Sequence, residues 1–207
     1  MPTLVKADQR TPEWFAARLG KATGSRFGDI VARTKSGYSA SRKNYAAELV
    51  VERLTGQPTE TFTSAAMQWG TDNEPVARLE YELLSGNIVE DTSLWLHDNL
   101  DAGASPDGLI GDDGLLEIKC PNTATHLDTL IKKKLPRQYV GQVQGQMWIT
   151  GRKWCDFVSY DPRLEGKAKL IIIRVDRDDK YIEELETEVR DFLQEVSDLV
   201  EFVNNYK

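Results

Sequence analysis

Three ionisable residues stand where charge is costly. In "GASPDGLIGDDGLLEIKC", residues 103–120, Asp107 sits on a Ser-Pro-Asp-Gly turn, while Glu117 and Lys119 lie among Leu115, Leu116, Ile118 and Cys120. Charged side chains are seldom fully buried unless they are paired or hold a metal. The "GDDG" at 111–114 is a hairpin signal, so the segments on either side pair as antiparallel strands. With that turn, Ile110 faces Leu115 and Asp107 falls opposite Ile118, beside Glu117. Slipping by one residue puts Asp107 opposite Glu117 itself. Both registers make the two carboxylates neighbours. Glu117 and Lys119 are two apart on a strand and project from one face, with Ile118 turned to the other as an anchor in the core.

Two close carboxylates raise each other's pKa unless a cation lies between them. Oxygen donors with no His or Cys nearby suit Mg²⁺, with Mn²⁺ as a substitute, rather than zinc. Such an ion polarises a phosphodiester and helps deprotonate an attacking water. Lys119 would orient that water, lower its pKa, or neutralise charge developing on phosphorus. The same three residues also describe a buried acid–lysine cluster without catalysis, and composition alone leaves both readings open.

The elements that must position these residues follow from periodicity and punctuation. "TPEWFAARLG" reads as a helix with Thr11 as N-cap, Pro12 first and Gly20 past its end. A second helix begins in "TGSRFGDIVART" with Thr23 or Ser25 as cap, and a third covers about 39–54. A fourth is "TDNEPVARLEYELLSG", starting near Thr71 or Asp72. Strands are expected at about 87–90, 94–98, 103–110 and 115–120, then helix over 123–150 broken near Pro136, then strands in "CDFVSY" and "KLIIIRV". In the last helix, Ile182, Leu185, Val189, Phe192, Val196, Leu199 and Val203 recur at steps of three and four. The order predicts an α/β fold: a central mixed β-sheet flanked by helices, in one domain over 1–207. Its parts are a helical N-terminal region (about 1–86), a sheet core (about 87–176) and a C-terminal helix (about 178–205).

Charge narrows the partners. The net charge of −7 argues at first against nucleic acid, but Asp176–Glu201 holds eleven acidic against three basic residues, which leaves +1 for the rest. "SRKN" at 41–44 and "KKKLPR" at 132–137 are basic clusters within that remainder, compatible with a confined DNA-binding surface or with plain solvated faces. No apolar run approaches the roughly 20 residues that span a bilayer. The opening "MPTLVKADQRTPEW" lacks the apolar stretch of a secretory signal, so the expectation is a cytoplasmic protein whose Cys120 and Cys155 are reduced core thiols. His97 and His126 have no partner pattern.

Pro-Asp followed ten residues later by Glu-Ile-Lys in an apolar strand resembles the P-D...(D/E)-x-K signature of a large nuclease superfamily. With "EWFAARLGKATGSRF", "AMQWGTDNEPVARLEYE", "SPDG", "LEIKCP", "YVGQVQGQMWIT" and "YDPR" in that order, the chain resembles the lambda exonuclease family, the alkaline exonucleases of phage recombination. The resemblance runs from about residue 10 to the final helix. It implies a restriction-endonuclease-like core and a ring-shaped homotrimer threaded by linear double-stranded DNA. The 5′-ended strand would be degraded processively to mononucleotides, leaving a 3′ single-stranded tail for a single-strand-annealing partner. The setting implied is the cytoplasm of a bacterial host, with the gene carried by a phage or prophage.

By the same resemblance, Asp107 and Glu117 match metal-binding carboxylates, the Ile118 carbonyl a backbone metal ligand and Lys119 the catalytic lysine. Glu74 matches a glutamate helping to hold a second metal. Gln144 matches an active-site glutamine, with Gln142 close by. Arg18 and Ser25 match the residues that bind the DNA 5′-phosphate. They also have a reading of their own: a guanidinium fork beside a helix N-terminus holds an anion, though a surface arginine and a plain capping serine fit equally. Lys35 stands where the family has an arginine reaching into the DNA, so the charge is kept and the fork is lost. Met67 falls at an apolar wedge between the strands, or is core beside Trp69. A structure- or sequence-specific endonuclease using the same metal site is the first alternative. A catalytically silent DNA-end-binding adaptor is the second, disfavoured by the intact acid–acid–lysine set.

Overall fold

The computed structural model describes residues 2–59 and 64–206. In chain order the elements are β1 (Thr3–Leu4), α1 (Pro12–Arg18), β2 (Ala22–Thr23), α2 (Phe27–Val31), β3 (Arg33–Thr34), β4 (Gly37–Tyr38), α3 (Ala40–Thr55) and α4 (Ala65–Ser85). They continue with β5 (Val89–Glu90), β6 (Trp95–Leu96), β7 (Ala102–Ala104), β8 (Gly108–Ile110), β9 (Gly114–Lys119), α5 (Thr123–Lys132), α6 (Val140–Thr150), β10 (Trp154–Tyr160), β11 (Leu170–Asp176) and α7 (Asp179–Asn204).

The central mixed sheet has the order β11-β10-β9-β8-β5, with β9 and β10 parallel and the other pairs antiparallel. Strand β9 is buried on both faces, as the middle of a helix-covered sheet must be. Leu116 and Ile118 pack with Ala77 and Tyr81 of α4. Leu115 packs on the opposite face with Val143 and Met147 of α6. A second core gathers α2, α3 and α7 around Phe27, Tyr45, Leu49, Val189 and Phe192. Helix α6 approaches α2 closely because Gly145 has no side chain; a Cβ there would lie 2.2 Å from the Phe27 ring. That approach aims the other face of α6 at β9.

Several boundaries differ from the sequence reading. The strand expected over 103–110 is two strands in two sheets: β7 joins a four-stranded sheet ordered β1-β6-β7-β2, while β8 joins the central one. Ser105–Asp107 make the crossing, and Pro106 has no N–H with which to continue a ladder. Helix α4 starts six or seven residues before the expected Thr71 or Asp72, at Ala65, with Ser64 accepting the Met67 amide at 3.2 Å. Pro75 lies inside the helix. The helix expected from Thr23 or Ser25 is a 3-10 turn over Gly24–Arg26 followed by the short α2. The short strands β1–β4, too brief for any periodicity, add the small sheets.

The acidic α7 is partly neutralised by cations of the fold. Arg42 of "SRKN" is buried and donates to Glu188 and Glu195 of α7 and to the Ile30 carbonyl, so that cluster is not a free basic patch. Both thiols sit in the fold unpaired, and burial pushes them up, Cys120 to about 12. His126 is a satisfied core residue, bridging Ser159 Oγ and the Ala168 carbonyl at 2.8 Å each. Among the described residues no helix is long and apolar enough to cross a membrane.

Candidate active site

The β8–β9 hairpin takes the slipped register. Gly108 pairs with Leu116 and Ile110 with Gly114, which continues to place Asp107 opposite Glu117 rather than Ile118. Gly111 in the turn has φ +51°, a left-handed conformation that glycine adopts without strain. The Asp107 amide donates to the Leu116 carbonyl at 3.0 Å, and its carboxylate accepts the Ile118 amide at 2.6 Å. The turn that carries Asp107 is held from the N-terminal segment: Gln9 donates to the Pro106 carbonyl at 2.8 Å and the Trp14 indole to Ser105 Oγ at 3.2 Å.

Glu117 is 1% exposed and fully engaged. Its Oε1 accepts from Gln142 at 2.5 Å and pairs with Lys119 Nζ at 2.6 Å, and its Oε2 accepts from Gln146 at 2.6 Å. Gln142 and Gln146 are one turn apart on α6 and so share a face. Lys119 is about a quarter exposed and lies 5.5 Å from the centre of the Tyr139 ring. Burial opposes its charge, but Glu117 and Asp107 hold its pKa above the ordinary lysine value.

The Asp107 carboxyl is held well above the usual range, first by burial and then by the facing charges of Glu117 and Glu74. Glu74, at mid-length on α4, meets this cluster and is paired with Arg10 at 2.6 Å. Among the described residues no three carboxylate, imidazole or thiol groups surround one point. The donor set still fits a hard divalent ion. Mg²⁺ needs only one or two carboxylates, with water and phosphate oxygens completing its shell, and a cation here would relieve the repulsion that lifts Asp107.

Of the residues singled out in the sequence, Asp107, Glu117, Lys119, Glu74 and Gln142 converge. Gln144 does not: its amide donates to the Asp176 carbonyl and accepts the Asp178 amide at 2.9 Å each, locking the β11–α7 junction. Gln146 takes the place by Glu117 instead. The signal for it was present in the i, i+4 spacing from Gln142. Arg18 is half-buried, its guanidinium 4.1 Å over the Trp14 ring, and burial lowers its pKa against the opposing charge of Glu52. Ser25 is exposed in the turn tied to Tyr45, whose hydroxyl accepts the Thr23 amide at 2.9 Å. The short α2 supplies little dipole there, so a phosphate held by these two residues rests on Arg18. Lys35 is exposed between β3 and β4, and Met67, 57% exposed on the first turn of α4, is not core. A groove of about 1300 Å³ lies between α2, the start of α6 and α7, with Ser25 and Arg137 on its wall and none of Asp107, Glu117 or Glu74.

Residues 13–153 match the YqaJ-like viral recombinase domain. LHK-Exo, an alkaline exonuclease from Laribacter hongkongensis, is 50% identical over 94% of this chain and 96% of its own, with a TM-score of 0.87. A second structure of LHK-Exo, in complex with dAMP, is 51% identical over 93% and 96%, with a TM-score of 0.86. A phage-related exonuclease from Haemophilus somnus 129PT shares the fold at 15% identity, covering 88% of this chain and 96% of its own, with a TM-score of 0.74. No curated protein matches the chain. The hairpin carrying an acid, an acid and a lysine therefore lies within the matched domain of a phage-type exonuclease fold, and the chain belongs to the YqaJ-like viral recombinase family.

Proposed function

We propose that this phage-type exonuclease uses Mg²⁺, with Mn²⁺ able to substitute, to degrade the 5′-ended strand of linear double-stranded DNA. One observation carries the reading: Glu117, buried in an apolar strand, faces Asp107 and holds Lys119 at 2.6 Å. A buried acid pair with a fixed ammonium is poorly explained as packing alone, since apolar residues of similar volume would be as stable. Asp107, Glu117 and the Ile118 carbonyl would hold one ion, and Glu74 would help with a second. When bound, the metal polarises the phosphate and acidifies water. Lys119 orients that water and neutralises charge on the phosphate, while Gln142 and Gln146 keep Glu117 aimed. Arg18 with Ser25 holds the 5′-phosphate, Lys35 touches the duplex and Met67 splits its end. That LHK-Exo was crystallised with dAMP accords with a mononucleotide product.

The whole of 1–207 acts as one exonuclease domain, processive because a homotrimeric ring encloses the DNA. The exposed apolar strip Val76, Leu79, Leu83 and Ile88 on and after α4 is surface of the kind that a subunit contact covers. The 3′ tail passes to a single-strand-annealing protein in the host cytoplasm, as recombination requires. The test uses linear duplex labelled at the 5′ or the 3′ end together with a closed circle, in Mg²⁺ or EDTA. Mg²⁺-dependent loss from 5′ ends with the circle intact is expected. Cutting of the circle would indicate an endonuclease, and no cleavage in Mg²⁺ or Mn²⁺ a silent DNA-end binder.

A further inference from the structure

Beyond the carboxylates, one more cation is built into the same end of the sheet. The "YDPR" of residues 160–163 follows β10, which runs parallel to β9 with Ser159 beside Lys119. Asp161 and Arg163 therefore leave the sheet next to Cys120 and Pro121, at the carboxyl ends of the parallel pair, where open α/β sheets place their ligands. Asp161 is completely buried and takes Arg163 by one edge through two bonds: Nε to Oδ1 at 2.6 Å and Nη2 to Oδ2 at 3.0 Å. Nη2 also donates to the Pro121 carbonyl, two residues past Lys119, at 3.1 Å. The guanidinium carbon lies 4.8 Å from the centre of the Trp69 ring of α4, little more than one turn before Glu74.

Such holding is more than a surface ion pair needs. A solvent-exposed Arg–Asp contact is worth little and is not usually clamped by a buried carboxylate, a carbonyl and an aromatic plate together. Here the Nε/Nη2 edge is fully used, yet the side chain is still 46% exposed. The opposite edge, bearing Nη1, is left to an external anion in a fixed orientation. Pro121 on one side and Trp69 on the other connect this guanidinium to the strand of Lys119 and to the helix of Glu74.

Building on the exonuclease reading above, we infer that Arg163 is a substrate-positioning residue, contacting a backbone phosphate of the cleaved strand within one or two linkages of the scissile phosphate. Asp161 and Trp69 hold the guanidinium so that little conformational freedom is lost when the strand arrives. The contact reads phosphate and carries no base preference.

The experiment replaces single linkages near the cleaved end of a duplex by neutral methylphosphonates, one position at a time. With wild-type protein, one linkage beside the scissile one should slow single-turnover cleavage by about tenfold, in the range of a lost charged hydrogen bond. Arg163→Ala should be slowed by a similar factor on normal DNA and show no further loss at that linkage. Arg163→Lys should recover part of the rate and part of the sensitivity. Because Arg163→Ala strands a buried carboxylate, the same substitution is also made with Asp161→Asn, and thermal melting confirms that the double variant folds. A purely structural arginine would leave the linkage profile of the variants identical to wild type, and that result overturns the inference. Equilibrium binding of the duplex without metal adds an arm independent of cleavage: the salt slope should fall by about one charge in Arg163→Ala. If wild type fails to cleave at all, the exonuclease reading falls, while an unchanged salt slope sinks the role given to Arg163.

Discussion

Gln146 donates to Glu117 Oε2 at 2.6 Å, and each of the two side chains is 1% exposed. Gln142, one turn earlier, takes the other oxygen. Glu117 is thus gripped through both oxygens from α6. Removing the Gln146 amide leaves a buried carboxylate oxygen without its donor, at a cost of about 1–3 kcal/mol. Gln146→Leu should lower the urea midpoint accordingly and reduce cleavage at least tenfold. Gln144→Leu should cost similar stability at the start of α7 but largely spare single-turnover cleavage. Equal loss of chemistry in both variants would mean that Gln144 has the role its place in the "QVQ" motif suggested.

The acid pair predicts opposite effects with and without metal. Asp107 is lifted by burial and by Glu117 and Glu74, so its negative charge is unfavourable in the metal-free fold. Asp107→Asn should leave the melting temperature in EDTA unchanged or raise it. Mg²⁺ should stabilise wild type, since a ligand bound only by the native state raises apparent stability, and should not stabilise the variant. Scanning calorimetry in EDTA and in Mg²⁺ tests both halves; an equal Mg²⁺ shift in both proteins would remove Asp107 from the metal site.

Glu117→Ala and Lys119→Ala are expected to abolish cleavage while leaving the secondary structure and the assembly state intact. Circular dichroism, sedimentation and a gel assay on linear duplex decide this together. Turnover at the wild-type rate by either variant contradicts the roles assigned to the pair.

Arg18 lies half-buried over Trp14, with no carboxylate in hydrogen-bond contact among the described residues. Arg18→Ala should abolish the preference for 5′-phosphorylated over 5′-hydroxyl ends and shorten processive runs, with a smaller effect on a single turnover. If wild type discriminates between the ends and the variant discriminates equally, the phosphate is bound elsewhere.

Asp161 offers a pH test independent of the metal. Burial works against its charge, but hydrogen bonds from Arg163 and Thr123 prevail and hold its carboxyl down to about 2. A depressed carboxylate contributes stability above its unfolded value, about 3.9, and that contribution is lost as pH falls toward 2. Wild type should therefore lose stability relative to Asp161→Asn across that window, by about 1 kcal/mol after screening on the exposed Arg163 side. Urea midpoints measured for both proteins between pH 5 and 2 report the difference; parallel curves would mean that the pair contributes nothing.

The meeting of two acids and a lysine was legible in the sequence because it is local. Asp107, Glu117 and Lys119 sit on one hairpin, where a turn signal and the two-residue period of a strand place them together in either register. The amphipathic period of α7, the caps of α1 and the strands β10 and β11 were legible for the same reason: near neighbours in sequence impose them. Helix α4 was legible except at its start, where Thr71 or Asp72 was read as the opening and Ser64, the real cap, lay further back.

What the tertiary structure alone decided is which long-range partners meet. The i, i+4 spacing puts Gln142 and Gln146 on one face of α6 and Gln144 on another, but nothing local says which face meets Glu117; the packing of Gly145 on Phe27 rotates α6 so that Gln142 and Gln146 face β9 and Gln144 faces α7. Likewise, Pro106 ends one ladder so that β7 and β8 join different sheets, and Arg42 looks like free basic charge until α7 folds over it. The sequence by itself determined the acid–acid–lysine set and the strand that carries it, through steric and periodic rules acting over a few residues. The orientation of the glutamines, the clamp on Arg163 and the arrival of Glu74 were decided only when distant side chains competed for one buried volume, which no spacing along the chain records.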